Sequence, residues 1–476
     1  MKRYIQSTAT AWVDFYLHSR SKNRTNPLRT RVAGYGAKSI IDGVQFSKRL
    51  GSGAGSVQMR FIGPKADEIL EVQEGDWFKL TIQRGKIAEE VTAGRVTGKS
   101  VSVSGPAAHI TVVIEGLDIG APFVDTPVWF NDFAASHNNL GGRDMFRILK
   151  GKPGGTPKEL IEKLIGGMLG VDGLFGGHWR LPKGLFDPVS DDALLDSEAS
   201  RIRGARAPTF GSDLFVDWLM FTKISDKMQG EILAPAMIDA AGGGSLWSFL
   251  DTYRNPPLNE LFIDYLSTDG GDPRPAVVAR EKPFVNVDAG RNSPWFDLPE
   301  HIIPAWEIES ISVRQGANRI NFIMCYGEVV PFMPNEPYAI HKPLFHPESV
   351  ERHGLRKMEE RTAYLHVEAT RVEDAQSWRD LILGWSVLQH EYWSGSIMLR
   401  DVRPEIRVGT RVTVQGAPGG WAGLPEKLTF YVEGVTQSVM EGRQPSSATS
   451  LQLTRGYVDA DRVNAVKDAT SKWTEV

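Results

Sequence analysis

One cysteine in 476 residues, Cys325, has no partner for an intramolecular disulfide, which fits folding in a reducing compartment. Its flanks, NRINFIMCYGEVV, read as a buried strand, so the thiol is expected in the core. No stretch reaches the roughly 18 uninterrupted apolar residues of a membrane-spanning helix, so no membrane insertion is expected. The N-terminal MKRYIQSTATAWVDFYLHSR lacks an apolar run long enough for a secretory signal. Charge of one sign is scarce too: the net charge of −4 argues against a general nucleic-acid binder. The exception is local. Ten Lys/Arg against Asp14 and Asp42 in the first 50 residues make a basic arm, read first as a solvated surface and second as a contact for an acidic neighbour.

Motifs that carry chemistry are also missing. GYGAKS and GSGAGS are glycine-rich, but neither completes a phosphate-binding loop. His390-Glu391 lacks the second histidine of a zinc-protease helix, and His341, His346 and His353 fit no standard zinc spacing. Asp191 and Asp192 are adjacent, so their side chains diverge where paired catalytic carboxylates would converge. No G-x-S-x-G is present. No catalytic residue, cofactor or metal ligand is therefore assigned.

What is present is β-sheet. From about Ser39 to Asp118, Val57, Met59 and Phe61 alternate with polar residues. Phe78, Leu80 and Ile82 do the same, as do Val101 and Val103, then Ile110, Val112 and Ile114. Period-two alternation between glycine turns predicts half-buried antiparallel strands. Alternation returns at Ile397 and Leu399, Val412 and Val414, Leu428 to Val432, and Leu451 and Leu453. Between these regions, TPKELIEKLIGGMLG predicts a helix with Thr156 as N-cap, Pro157 at the first position and Glu159 closing a capping box. TFGSDLFVDWLMFTKI and SLWSFLDTY predict short helices, the second capped by Ser245. LNELFIDYL and PAVVARE read as paired strands around STDGGDPR. VEDAQSWRDLILGWSVLQHEYWSG predicts a long helix stopped by Gly395.

The two β regions echo each other in order. GSVQMR matches GSIMLR. The later matches align Gly75 with Gly409, Gly98 with Gly434, and Gly116 with Gly456. Four ordered echoes indicate a duplicated domain, although antiparallel barrels also converge on strand–Gly–strand patterns. The expected fold class is β-rich α+β, with two similar antiparallel β-barrels and helical or mixed insertions. The expected domains are 1–120 (first barrel, with the basic arm), 121–244 (helical or mixed), 245–458 (second barrel, interrupted around 290–370) and 459–476 (tail). Three copies of such a chain can make a ring of six similar units, which could match a sixfold tube on one side and a threefold object on the other.

The order barrel, helical insert, LWSFLDTYRNPPLNELFIDY, VVAREKPF, helix and GSIMLRDVRPEIRVGTRVTV resembles the baseplate hub proteins of contractile-tailed bacteriophages. The likeness runs from about residue 40 to 458. Its motif residues are Pro257, Asn259, Glu260, Leu261 and Phe262; Arg280, Glu281, Pro283 and Phe284; and Arg403, Pro404 and Gly409. The resemblance implies a homotrimer forming a pseudo-sixfold ring that joins tail tube to trimeric spike and lets DNA pass. The implied location is the tail baseplate of a virion assembled in the host bacterial cytoplasm. Tube and spike proteins would be partners, and tape-measure and wedge components are candidates. Some hubs carry a cell-wall lysozyme; no spare domain or carboxylate pair is visible to host one. Two alternatives stay open: the hub part of an injection-system spike and a carbohydrate-active β protein suggested by 13 tryptophans. The tail around Trp473 is expected to dock on a partner or neighbouring subunit.

Overall fold

The computed structural model describes residues 9–17, 28–33, 40–63, 66–104 except 86, 109–128 and 157–169, and a few positions between 179 and 219. It also describes 244–476 apart from breaks at 255, 257, 267–273, 317–318, 328–341, 363–371, 417–422 and 442–444. Outside the described residues lie most of the basic arm, Asp191 and Asp192, the turn 267–273, Pro257, and the expected helix from Thr209 to Ile224 except Leu219.

The first half contains β1 (Ala9–Leu17), β2 (Leu28–Ala33), β3 (Ile41–Arg49), β4 (Ser56–Ile62), β5 (Trp77–Arg84), β6 (Ile87–Ser104) and β7 (His109–Asp118). Two short strands, β8 (Pro127–Val128) and β9 (Gly244–Ser245), pair beside the helix Leu246–Tyr253. The hairpin β10 (Asn259–Leu266) and β11 (Arg274–Glu281) follows, then β12 (Glu300–Pro304) and β13 (Ile308–Gln315). A side sheet holds β14 (Phe322–Gly327), β15 (Leu344–Phe345) and β16 (Lys357–Thr362). The last strands are β17 (Trp393–Leu399), β18 (Arg411–Gln415), β19 (Lys427–Met440), β20 (Ser446–Tyr457) and β21 (Thr474–Glu475), which joins the side sheet.

Alternation places strands where the sequence predicts them: Val57, Met59 and Phe61 of β4 are buried, while Ser56, Gln58 and Arg60 are exposed. Strand pairing is mostly antiparallel, with β12–β18 and β14–β16 parallel. β4, β7, β6 and β5 are neighbours in that order, and so are β17, β20, β19 and β18. The expected closed barrels are absent among the described residues. A single open sheet of 13 strands includes both quartets. Its continuity comes from β19. Lys427–Tyr431 pairs with β18, whereas Gly434–Met440 pairs with β3, so the ladder passes from one quartet to the other.

Among the described residues, several longer helices stand out. The helix Pro157–Leu169 forms where the sequence predicts one and buries Ile161, Leu164, Ile165, Met168 and Leu169 on one face. Ser245 Oγ accepts from the Ser248 amide at 3.2 Å and caps the helix Leu246–Tyr253, a bond worth about 1 kcal/mol. The later helix runs Val372–Ser386, shorter than predicted. After Val387 N donates to Leu383 O, the bonds Gln389 N to Ser386 O and Glu391 N to Leu388 O tighten the chain into turns. Gly395 lies in β17 instead of stopping the helix; a Cβ there would stand 2.0 Å from Ser312 O of β13. The approach of that neighbouring strand requires a glycine.

Candidate functional site

The motif segments meet where the β10–β11 hairpin leans on the second quartet. Glu260 and Arg280 are directly opposite in the hairpin register. Arg280 Nε donates to Glu260 Oε1 at 2.7 Å, and Tyr431 of β19 donates its hydroxyl to the two Glu260 oxygens at 2.8 and 2.7 Å. Arg280 Nη2 continues to the Gly409 carbonyl at 2.8 Å, while its guanidinium lies 5.6 Å from the Phe262 ring centroid. Burial pulls the Arg280 pKa down, but Glu260 and Tyr431 more than reverse it, so the guanidinium stays charged. Burial and the adjacent carboxylate push the Tyr431 hydroxyl well above its ordinary range. Gly409 holds φ +74°, and a Cβ there would stand 2.8 Å from Phe262 Cζ and 3.0 Å from Arg280 Nη2.

Neighbouring motif residues extend this contact. Asn259 Nδ2 donates to Arg254 O at 2.7 Å, fastening the hairpin to the preceding helix. Phe284 packs edge-on against Tyr431 and Trp385 at 5.4 and 5.8 Å, and Arg455, itself at φ +55°, lies 3.5 Å over its ring. Burial and Arg455 lower the Lys282 ammonium to about 8. Leu261 and Pro283 are buried; Glu281 sits opposite Asn259 at the hairpin end.

The loop from Asp401 to Gly409 turns the same contact toward the first quartet. Arg403 pairs with Glu307 Oε2 at 2.6 Å, and its amide donates to Thr449 Oγ1 at 2.7 Å. Pro404 is buried beside it. Arg84 of β5 reaches Asp401 at 3.1 Å. Arg407 donates to the carbonyls of Val91 and Glu90 in β6, and Tyr265 donates to Glu90 Oε2 at 2.5 Å. Val402 enters the apolar core of the first strands. Buried charges are costly unless paired, and these guanidiniums face carboxylates or carbonyls. The arrangement fixes elements to one another: Ser and Thr hydroxyls here bond backbone or carboxylates, and the groups present an interlock rather than a nucleophile and base. Among the described residues, no three metal-ligating side chains converge.

The layout of the whole chain resembles that of several solved proteins. A tail protein from Neisseria meningitidis MC58 matches 94% of this chain and 96% of its own, at 12% identity and TM-score 0.46. The 43 kDa tail protein of prophage MuSo2 from Shewanella oneidensis matches 94% and 98%, at 10% identity and TM-score 0.45. The chain is similar to phage tail proteins. The E. coli c3393 protein, described as a type VI secretion component with structural similarity to the T4 tail proteins gp27 and gp5, matches 88% and 74% at 7% identity and TM-score 0.41. No family model matches the sequence, and no curated protein matches it. At these identities and scores, no residue role transfers from those proteins to this tail-protein-like chain.

The remaining motif positions lie elsewhere. Gly75 and Gly409 take one role in their quartets: Gly75 N donates to Val96 O and Gly409 N to Val432 O, both at 2.9 Å, with φ +91° and +74°. Gly98 and Gly434 each follow a register shift, after Val96 and Val432. Gly116 and Gly456 do not coincide, because Gly116 pairs with Val57 while Gly456 pairs with Trp393. Trp473, expected to dock on a partner or neighbouring subunit, packs in its own chain. It is 8% exposed, packed within its own chain's core and 6.2 Å from the His346 ring. Glu475 beyond it pairs with Arg379 at 3.0 Å, so the tail is fastened to its own chain. Tyr431, Arg407, Glu90 and Glu307 escaped the sequence reading. Tyr431 sits in an alternating strand and reads as an ordinary core aromatic, and nothing local marks the other three.

Proposed function

We propose that this chain is a structural hub of a phage tail baseplate. Three copies form a ring of six similar units, which joins a sixfold tail tube to a threefold spike and leaves a passage for DNA. The observation that carries this reading is the recurrence of one strand order in β4–β7–β6–β5 and β17–β20–β19–β18, with Gly75 and Gly409 making the same bond at the same φ sign. Two alike units per chain convert threefold symmetry into approximate sixfold symmetry, the geometry an adaptor between unlike symmetries needs. The division into 1–120, 121–244, 245–458 and 459–476 belongs to the same reading, with one quartet in the first segment and one in the third. The interlock supports a load-bearing role, because it ties the hairpin, both quartets and the loop 401–409 into one body. A net charge of −4 favours a conduit, since excess positive charge would retain phosphates. The reading assigns no catalysis, and it places the chain in the virion with tube and spike proteins as partners.

Native mass measurement with negative-stain imaging tests it. The expected result is a threefold assembly with a central opening, alone or with a trimeric spike protein added. A chain that stays monomeric under both conditions refutes the ring.

A further inference from the structure

The seam inside one chain predicts the seam between chains. Within the chain, Gly434–Met440 of β19 pairs antiparallel with Arg49–Gly43 of β3. In the first quartet the same place is held by Gly98–Ser104 of β6, which follows the equivalent register shift and pairs with β7 on one side. Among the described residues no strand pairs with its other side. Val101 and Val103, expected to be half-buried, are 46% and 63% exposed, whereas their counterparts Gln437 and Val439 are 1% and 0% exposed. The sheet ladder stops where its twin continues.

The strand that would continue it is also identifiable. β3 pairs with the first strand of its quartet, and β13 pairs with the first strand of the other. Ser47 O and Ser312 O stand against the opening glycines in the same manner, 2.8 Å from a Cβ on Gly55 and 2.0 Å from one on Gly395. Ser47 pairs with Ser56 as Ser312 pairs with Ser396. β3 uses both edges; β13 uses one among the described residues, and its sequence from Glu309 to Gln315 is exposed or half-buried.

We infer that the outer edge of Gly98–Ser104 in one copy pairs antiparallel with the outer edge of β13 in a second copy of this chain. The register follows from the internal seam: Gly434–Arg49 becomes Gly98–Arg314, Thr436–Ser47 becomes Ser100–Ser312, and Gln437–Phe46 becomes Val101–Ile311. Val101 then faces Ile311, while Val103 falls opposite Glu309. Charge agrees with this register. In the internal seam, Arg49 Nε crosses the bare Gly434 to Gln452 Oε1 at 2.8 Å. The residue paired with Gly98 is Glu115, exposed, with Oε2 3.7 Å from where a Gly98 Cβ would stand. Arg314 of the next copy therefore meets a carboxylate where Arg49 meets an amide. The two edges are unlike, and six strands separate them in the sheet, so copies join head to tail and such contacts close into a ring. The assignment rests on the ring reading only for the number of copies at closure.

The double variant Ser100→Cys, Ser312→Cys tests it. The internal counterparts Ser47 Oγ and Thr436 Oγ1 are 3.0 Å apart, so cysteines at the new positions fall within disulfide reach; Cys325 is buried and stays out of the reaction. Mild oxidation should give linked dimers and a closed species of three chain masses on a non-reducing gel. A mixture of the two single variants should stop at dimers, and either alone should give no link. Separately, Glu115→Arg and Arg314→Glu should each weaken self-association by at least roughly tenfold, as like charges at an interface do, and together restore it. An oligomer by mass that fails to cross-link refutes the edge pairing and leaves the ring; a monomer at every concentration refutes both.

Discussion

Gly75 and Gly409 offer a matched pair for separating backbone strain from packing. Both hold positive φ and make the same backbone bond in their quartets, so alanine at either should lose about 1–2 kcal/mol to the left-handed conformation. Their surroundings differ. At Gly75 the nearest atom to a new Cβ is Arg95 Nη2 at 3.1 Å, the end of a half-buried side chain held by a long 3.3 Å bond to Gly75 O and by the Trp179 face at 5.0 Å, contacts weaker than an ion pair. At Gly409 the nearest is Phe262 Cζ at 2.8 Å, with Arg280 Nη2 at 3.0 Å. Neither neighbour can retreat: Phe262 is 3% exposed in a packed core, and Arg280 is fixed by Glu260. Overpacking adds about 1–3 kcal/mol, so Gly409→Ala should cost roughly 2–5 kcal/mol in all. Urea unfolding followed by tryptophan fluorescence, at one fixed protein concentration because association shifts apparent stability, measures both. Equal losses for the two variants, or the larger loss at Gly75, would refute the account of the interlock.

Two further outcomes are expected. Lys282 has its pKa lowered by burial and Arg455 from 10.5 to about 8. Between pH 8 and 10.5 the unfolded chain therefore binds more protons than the folded one, and stability rises with pH; the penalty is complete below pH 8. The melting temperature of the native protein minus that of Lys282→Met should increase across that window, and a flat difference would show that Lys282 is solvated. Trp473→Ala should destabilise the lone chain by about 3–5 kcal/mol, the cost of emptying a buried aromatic site. Unchanged melting of unassociated protein would instead return Trp473 to a docking role.

Local pattern made much of the sheet legible. Alternation at Val57, Met59 and Phe61 marks a strand because each inward residue reports its own burial. The stripe Ile161, Leu164, Ile165 and Met168 marks a helix for the same reason. The pairing of Glu260 with Arg280 is short-range enough to accompany a readable hairpin. The junction of β19 with β3 links residues almost 400 positions apart, and no local periodicity encodes such a partner. β1 went unread: Ala9–Leu17 holds a charged residue, Asp14, that is fully buried, which breaks the simple inside–outside pattern. The spacing of Leu388 and Tyr392 extends the helical pattern past Ser386, although Leu388 lies in a turn and Tyr392 in the link to β17. Glu90, Arg407 and Glu307 became recognisable only when the fold brought distant loops together.

The strand β19 also sets how the molecule bears load. A hinge needs a segment whose backbone can rotate without losing partners. Here, among the described residues, the direct crossing between the two quartets is a continuous strand paired along both of its halves. Tension along that strand meets its rungs in shear, so they resist together instead of opening one after another like a zip. The two halves of the chain are therefore expected to translate and rotate as one stiff block, and compliance in any assembly would lie at joints between molecules.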